Sequence, residues 1–410
     1  MTDTDCDVLV VGGGPAGAAA AWQAAGRGAK VVCLDKAEFP RDKPCGDGLT
    51  PRAVKLISTM GLGADLEKFH KVKRIKLVSR TTWDVGWPHR HDMPDFGYVA
   101  RRLDLDEILL RAAAEAGAQV EENVEAIGPL MTGNRVSGVV AVSGTETREY
   151  RATVIIGADG AHSELKRLIL RDEPTPSKLR WFDADRNKGI VAVAIRAEMS
   201  SRRTEDETLE AHILKYQNNY LPGYGWVFPV GGDRVNIGVG YLTTFRRWRE
   251  INARALFAQF AKQLPAEWAL PDTGDLVRAK ALQAWRLPMG FTTLPAWRPG
   301  VMFAGDAAGV AKPASGAGIS RALESGMIAA DVALNVIGSG TPHELADYDE
   351  QLKQRWGKTY RVARSALRFE SRPRGIALSL GLLDNSLMRK AVLRSIYGKS
   401  GQMDYRNASV

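Results

Sequence analysis

Val8-Leu9-Val10-Val11-Gly12-Gly13-Gly14-Pro15-Ala16-Gly17, near the start of a 410-residue chain, is the stretch on which the fold turns. Four consecutive apolar residues suit a short strand buried on both faces. The glycines that follow open a helix over Ala18 to Ala25, dense in alanine, the strongest helix former. After Gly26 and Gly28 a second strand, Lys30 to Leu34, stops at Asp35. Strand, glycine turn, helix, strand and acid make one βαβ unit. In Gly12-x-Gly14-x-x-Gly17 the first glycine allows a tight turn, and the second lets backbone approach a pyrophosphate. The third allows the helix to pack close on the strand, with Pro15 and Ala16 opening that helix towards the phosphates. Asp35, followed by Lys36, stands where a ribose hydroxyl is bound. A glycine-rich turn without a ligand is the plain alternative, but the ordered strand, helix and terminal acid favour a dinucleotide.

Working outward, Arg102 to Ala116 reads as a helix and Gly117 to Glu125 as a return to strand. Thr153 to Ile156 is a further apolar strand, halted at Gly157-Ala158-Asp159-Gly160. Gly189 to Arg196 and Val235 to Tyr241 alternate as half-buried strands do, with the Gly-, Pro- and aromatic-rich Leu221 to Pro229 between them. Val301 to Ala304 is a strand ending in Gly305-Asp306. A loop then runs to Gly316, and a helix is expected from about Gly318 to Val336. A second strand ending in Gly-Asp so far from the first is more than an NAD dehydrogenase needs. FAD is longer, and it requires an acid at its ribityl chain and donors at its ring from sequence-distant strands. Asp306 suits the ribityl chain, and a helix beginning at Gly318-Ile319 would aim its positive end at the ring. Asp306 as a simple helix cap is the competing reading.

The expected fold class is therefore α/β plus α+β: a Rossmann-like FAD-binding domain interleaved with an antiparallel-sheet substrate domain, then a helical C-terminal segment. The expected pieces are 1–75, 100–165 and 285–340 for the FAD-binding domain. The substrate domain takes 76–99 and 166–284, and 341–410 forms a basic helical region.

Charge is distributed to match. The chain carries a net charge of +9, yet residues 351–400 hold twelve Lys and Arg against two acids, Glu370 and Asp384. The remainder is nearly neutral, which argues against a nucleic-acid coat and for a local electrostatic contact. Three cysteines, Cys6, Cys33 and Cys45, are too few and too irregular for a disulfide framework or a zinc site, and no metal is expected. Reduced thiols and an acidic opening without a signal-peptide pattern point to the cytoplasm. The apolar run nearest the basic segment, Gly375 to Leu383, is too short to span a bilayer.

Three further stretches carry a resemblance. Lys43-Pro44-Cys45-Gly46-Asp47-Gly48-Leu49 looks like a Cys-Gly-x-Gly segment. Gly97-Tyr98-Val99 through Arg102-x-x-Leu105-Asp106 looks like an Arg-x-x-Phe-Asp helix start, with Leu105 for Phe. Tyr224-Gly225-Trp226-Val227-Phe228-Pro229 matches a Tyr-x-Trp-x-Phe-Pro box. With the nucleotide turn, the chain resembles the geranylgeranyl reductase family of FAD flavoproteins, built like p-hydroxybenzoate hydroxylase, over about residues 5–335. The resemblance implies an FAD-dependent reductase that saturates an isoprenyl double bond of a prenyl lipid, with the menaquinone side chain foremost. It places Gly12, Gly14, Pro15, Ala16, Gly17 and Arg102 at the phosphates, and Asp35, Lys36 and Val124 at the adenosine. Cys45, Gly46, Gly48, Asp306, Gly318 and Ile319 would hold the flavin half. Asp159-Gly160, with Ser163 and Lys166 where Arg is usual, resembles a motif of the wider group.

An isolated alkene is a poor electrophile, so hydride addition to one carbon and proton addition to the other pass through tertiary cationic character. A dry pocket with aromatic faces favours that transition state. Tyr224, Trp226 and Phe228 alternate, so an extended strand turns all three to one face. As substrate residues they, with Gly225 and Pro229, compete with a reading as a core aromatic ladder. Cys45 and Tyr224 are the candidate proton donors, Cys45 alternatively being a buried structural thiol; Asp47 nearby is also ionisable, with a solvated turn residue as its plain alternative. No second nucleotide fingerprint is present, so electrons come from transiently bound NAD(P)H or from another redox carrier. Trp356, Tyr360, Val362, Leu367 and Phe369 among Lys353, Arg355, Lys358, Arg361, Arg364 and Arg368 suit an interfacial segment at an anionic bilayer, against the alternative of a helix packed on the body. That reading puts the protein peripherally at the cytoplasmic face of the membrane. A flavin monooxygenase or halogenase on the same fold is the alternative activity, but halogenases carry Trp-x-Trp-x-Ile-Pro where Tyr224 and Phe228 stand here. A non-catalytic FAD-binding adaptor is the third.

Overall fold

A computed structural model describes residues 3–87, 89–171, 190–217, 219–272, 274, 282–291, 295–313, 315–341 and 345–383. Two large sheets organise them. In the first, the strand Asp3–Val11 lies between Glu146–Gly157 and Val31–Leu34, parallel to both. Val301–Phe303 and Gln119–Glu121 extend the parallel order on the two sides. Val8, Leu9 and Val10 are fully buried, as a strand covered on both faces requires. The helix Pro15–Ala25 packs against the helix Ile319–Ser339 above this sheet, and small residues set their distance: a side-chain carbon on Gly326 would lie 2.0 Å from the Ala16 carbonyl oxygen.

The second sheet has seven strands in the order Gln283–Met289, Ile190–Ser200, Arg234–Leu242, Asn219–Gly231, Thr208–Tyr216, Arg74–Val78 and Thr82–Gly86. Its neighbours are antiparallel except for Thr208–Tyr216 and Arg74–Val78, which run parallel. The helix Ala253–Gln263 seals one face, burying Phe257 and Phe260 against Val227, Ile237 and Val239. The opposite face packs on the Cys45–Gly48 segment, through Asn236, Trp226 and Phe228. A three-stranded ribbon of Gly48–Leu49, Gly97–Val99 and His70–Val72 lies where the two halves meet.

The second sheet is wider in sequence than the boundaries expected for it. The boundary after 75 cuts the strand Arg74–Val78, and the boundary at 285 cuts Gln283–Met289, whose whole length pairs with Ile190–Arg196. Pro288 disguises that strand in the sequence; it is tolerated because the strand lies at the sheet's edge. The expected strand over Gly117 to Glu125 is in fact two, Gln119–Glu121 and Glu125–Thr132. The second starts a hairpin with Arg135–Ser143 that extends the first sheet along Glu146–Gly157.

At the C-terminus, Asp347–Glu370 is one long helix that buries Tyr348, Leu352, Trp356, Tyr360 and Leu367. Pro373–Leu383 follows as a second. Of the twelve basic residues in 351–400, Arg389, Lys390, Arg394 and Lys399 lie outside the described residues. Among the described residues no helix is long and apolar enough to cross a membrane, and no group of side chains has the makings of a metal site.

Candidate functional site: the flavin cradle and its aromatic wall

The glycine turn is built by exclusion. Gly12 takes φ +103°, and a side-chain carbon there would stand 2.6 Å from the Ala158 carbonyl oxygen. At Gly17 one would stand 1.8 Å from the Gly12 carbonyl oxygen, so any larger residue forces the helix off the strand. Gly14 caps the helix without a side-chain hydrogen bond, leaving first-turn amides to face a ligand. Two guanidiniums converge beside it: a side-chain carbon on Gly14 would lie 3.4 Å from Arg41 Nη2 and 3.8 Å from Arg102 Nη2. Both arginines are held by the fully buried Asp106, which accepts from Arg102 Nε at 2.6 Å and lies 2.9 Å from Arg41 Nη1. Arg41 was not anticipated from sequence, where Pro-Arg-Asp-Lys reads as an ordinary polar loop. Backbone amides, a helix N-terminus and two positioned arginines are the donor set a pyrophosphate requires, so these residues fit FAD.

At the adenosine end, Asp35 accepts from the Gly13 amide at 2.7 Å and the Ala37 amide at 2.9 Å. Each oxygen keeps a second lone pair, so the carboxylate braces the turn and can still accept from a ribose. Val124 is buried and donates its amide to the Asp35 carbonyl, whereas Lys36 is exposed and pairs with Glu125 at 3.5 Å.

Asp306 lies in a single 3-10 turn, Gly305–Ala308. Its carboxylate is 3.7 Å from Lys43 Nζ and borders Gly318, the N-cap of the long helix that starts at Ile319. The turn is pinned from behind by Lys166, which donates to the Ala307 carbonyl at 3.0 Å and sits over the Phe303 ring. Burial pulls the Lys166 ammonium down to about 7, with Arg298 reinforcing the shift. Lys166 thus supports the turn that carries Asp306.

The 39–48 segment joins the two halves by sending successive side chains in opposite directions. Arg41 reaches Asp106 and Lys43 reaches Asp306 on the nucleotide side. Asp42 pairs with the buried Arg196 at 2.8 Å and accepts from Gln283 at 2.9 Å on the sheet side. The Cys45 carbonyl and the Asp47 carboxyl both accept from Asn236. Gly46 and Gly48 then run beneath the rings of Trp226 and Phe228, with 3.4 Å left for a side-chain carbon in either case. Asp47 is not a solvated turn residue: its carboxyl is completely buried.

Tyr224, Trp226 and Phe228 share the face that looks at this segment. Tyr224 and Trp226 meet edge to face at 6.1 Å, Trp226 and Phe228 lie 6.4 Å apart, and Trp285 adds a fourth ring at 6.3 Å from Trp226. The Trp226 ring lies over the neighbouring strand because that strand has Gly238, where a side-chain carbon would stand 2.2 Å from it. Its indole N–H donates to Asn236 at 2.9 Å. The same alternation removes Gly225 and Pro229 from the expected substrate set. They point with Val227 to the opposite face, where Gly225 abuts the Phe260 ring. The two donor candidates are also poor acids here. Tyr224 gives its hydroxyl hydrogen to the Ser315 carbonyl at 2.6 Å, and burial pushes it up to about 12. Burial likewise raises the Cys45 thiol, helped by the Asp47 carboxylate.

Comparison with known proteins agrees with this arrangement. Residues 5–362 match the family model for the FAD binding domain. The chain is 35% identical over 366 residues to menaquinone reductase of Mycobacterium tuberculosis, covering 88% of this chain and 83% of that protein. It is 28% identical to digeranylgeranylglycerophospholipid reductase 1 of Methanopyrus kandleri, with 87% of each covered. A geranylgeranyl bacteriochlorophyll reductase-like protein of Thermoplasma acidophilum superposes with a TM-score of 0.78 at 25% identity, covering 99% of this chain and 98% of that one. A flavin-dependent brominase at 19% identity and a TM-score of 0.71 shares the fold. The chain is an FAD-dependent oxidoreductase and belongs to the geranylgeranyl reductase family of FAD flavoproteins.

Proposed function

We propose that the protein saturates an isoprenyl carbon–carbon double bond of a prenyl lipid, with one unit of the menaquinone side chain as its substrate. The observation that carries this reading is the aromatic wall formed by Tyr224, Trp226, Phe228 and Trp285 opposite the Cys45–Gly48 segment. Bound FAD, once reduced, supplies the hydride. The chain's part is to exclude water and to hold the alkene against ring faces that stabilise the cationic character developing at its tertiary carbon. Tyr224 ties the wall to the loop after Asp306 through the Ser315 carbonyl, so wall and cradle hold one spacing. Two mycobacterial relatives named menaquinone reductase, 35% and 32% identical, support the quinone over other prenyl lipids.

The same reading makes the protein a peripheral one at the cytoplasmic face of the membrane. Val362, Phe369 and Leu378 are exposed on the two C-terminal helices, beside Arg361, Arg364 and Arg368. Apolar side chains among cations suit an anionic lipid surface, where a polyprenyl substrate resides. The electron donor is either NAD(P)H bound in passing or a protein redox carrier.

Mass spectrometry of lipids from cells lacking the protein tests the substrate. Loss of the menaquinone species two hydrogens heavier is the expected result. Unchanged quinones with altered phospholipid chains would reassign the substrate.

A further inference from the structure

Asp47 sits where neither its backbone nor its side chain is at ease. Its φ of +61° is a left-handed conformation that suits glycine, and its carboxyl is completely buried. Oδ2 accepts from Asn236 Nδ2 at 2.6 Å, while Oδ1 has no hydrogen-bond partner among the described residues. The charged and titratable groups facing it are Arg196 and Glu198 from the strand Ile190–Ser200, Arg102 from the helix Arg102–Glu115, and Cys45 on its own segment. Burial outweighs the two guanidiniums and pushes the carboxyl up to about 7, so neutral and ionised forms coexist near neutrality.

Asn236 is the junction. It is fully buried and lies opposite Phe228, on the same face as Trp226. Its amide nitrogen donates to the Cys45 carbonyl at 2.8 Å and to Asp47, which leaves its oxygen to accept the Trp226 indole N–H at 2.9 Å. Two acceptors on one side and a donor on the other fix the amide's orientation. A single chain of carboxyl, amide and indole therefore runs from the flavin-lining segment to the aromatic wall.

We propose that Asp47 is a positioning residue for the reduction: acting through Asn236, it sets the Trp226 ring relative to the Cys45–Gly48 segment, and its ionisation tightens or loosens that link. As a carboxylate it accepts a charge-assisted bond that polarises the amide and strengthens the next bond in the chain; as a neutral acid it accepts a weaker one. The activity arm of this inference rests on the proposed alkene reduction, but the spectroscopic arm does not.

The test compares FAD-loaded wild type, Asp47→Asn and Asn236→Ala. Near-ultraviolet circular dichroism and the visible flavin spectrum are followed between about pH 5 and 9, together with turnover on menaquinone. Asp47→Asn keeps an acceptor oxygen of the same shape but cannot ionise. Wild type is expected to show a spectral midpoint near neutrality that Asp47→Asn lacks while retaining stoichiometric FAD. Asn236→Ala is expected to hold FAD and lose about 10- to 100-fold in kcat, the range that one buried hydrogen bond to a charged group supports. A wild type without that midpoint, or an Asp47→Asn protein that keeps it, overturns the proposal. If wild type reduces no prenyl lipid, the reductase reading fails, and the spectral comparison still decides the role of Asp47.

Discussion

At the scale of single residues, the wall depends on what is missing as much as on what is present. Trp226 can lie flat only because position 238 is glycine, and its N–H has a partner only because position 236 is Asn. A ring so held makes a defined cation-stabilising surface instead of a loose apolar filler. Trp226→Ala should therefore retain stoichiometric FAD and lose turnover by at least about tenfold, if FAD is held as proposed by the glycine turn, Arg41, Arg102 and Asp306. Flavin content and single-turnover reduction of menaquinone check this, and unchanged turnover would return the ring to a purely structural role. The motif is legible in sequence, but its borders are not. Gly225 and Pro229 belong to the box in sequence, although period-two alternation alone turns them away from its aromatic face. Asn236 gave no signal, because one polar residue in an alternating strand looks like a solvent-facing one. Gly238 and Gly240, two residues apart beside an aromatic triplet, were the available hint that a large ring crosses the strand.

At the scale of elements, the long helix Asp347–Glu370 is latched to the flavin-side helices by one carboxylate. Glu324 is fully buried on Ile319–Ser339 and is paired with Arg52, Arg321 and Arg355, which come from three different helices. Arg321 also lies 4.6 Å over the Trp356 ring, and Tyr360 bonds the Val310 carbonyl at 2.5 Å. The guanidiniums hold the Glu324 carboxyl below its ordinary range despite burial. Because the folded value is the lower one, its contribution is complete above the unfolded value and is lost as pH falls through the folded one. Glu324→Gln leaves three cations without their shared anion and should cost about 3 kcal/mol or more by urea denaturation at neutral pH. That difference should shrink in acid; a cost that does not change with pH would mean the charge is not what holds the latch. The pattern and charge of the sequence predict this helix, but they place Trp356, Tyr360 and Leu367 on an interfacial face. The structure buries all three in the body and leaves Val362 and Phe369 outside. A helix that is basic on one side and aromatic on the other does not declare which side packs. That choice is made by Phe291, Val310 and Glu324, distant in sequence.

At the scale of the whole molecule, the 39–48 segment ties together two sheets built from alternating pieces of chain, with Arg41 paired to Asp106 on one side and Asp42 to Arg196 on the other. The nucleotide half was legible because its geometry is local: the glycine spacing, the strand and the acid fall within thirty residues. The second, mostly antiparallel sheet was legible only as alternation. Its parallel pairing of Arg74–Val78 with Thr208–Tyr216 joins segments more than a hundred residues apart, with no local signature. The charge asymmetry belongs to this scale too. If the outer helix face meets an anionic bilayer, replacing Arg361, Arg364 and Arg368 with Gln should weaken binding to phosphatidylglycerol vesicles by about 1 kcal/mol per charge, with FAD still bound. Added salt should weaken wild-type binding in the same direction. Cosedimentation checks both, and vesicle binding indifferent to the three substitutions and to salt would remove this face from the membrane contact.

On the proposed reading, the flavin half reduces an alkene of a prenyl chain held by the aromatic wall. The most direct measurement of this is anaerobic incubation of the photoreduced, FAD-loaded protein with menaquinone in detergent micelles, followed by mass spectrometry of the quinone. The predicted result is a product heavier by two hydrogens, with the gain confined to the side chain and flavin reoxidised in equal amount. A two-hydrogen gain on the quinone ring alone, or flavin that stays reduced in the presence of menaquinone and other prenyl lipids and reoxidises only when oxygen is admitted, would contradict it.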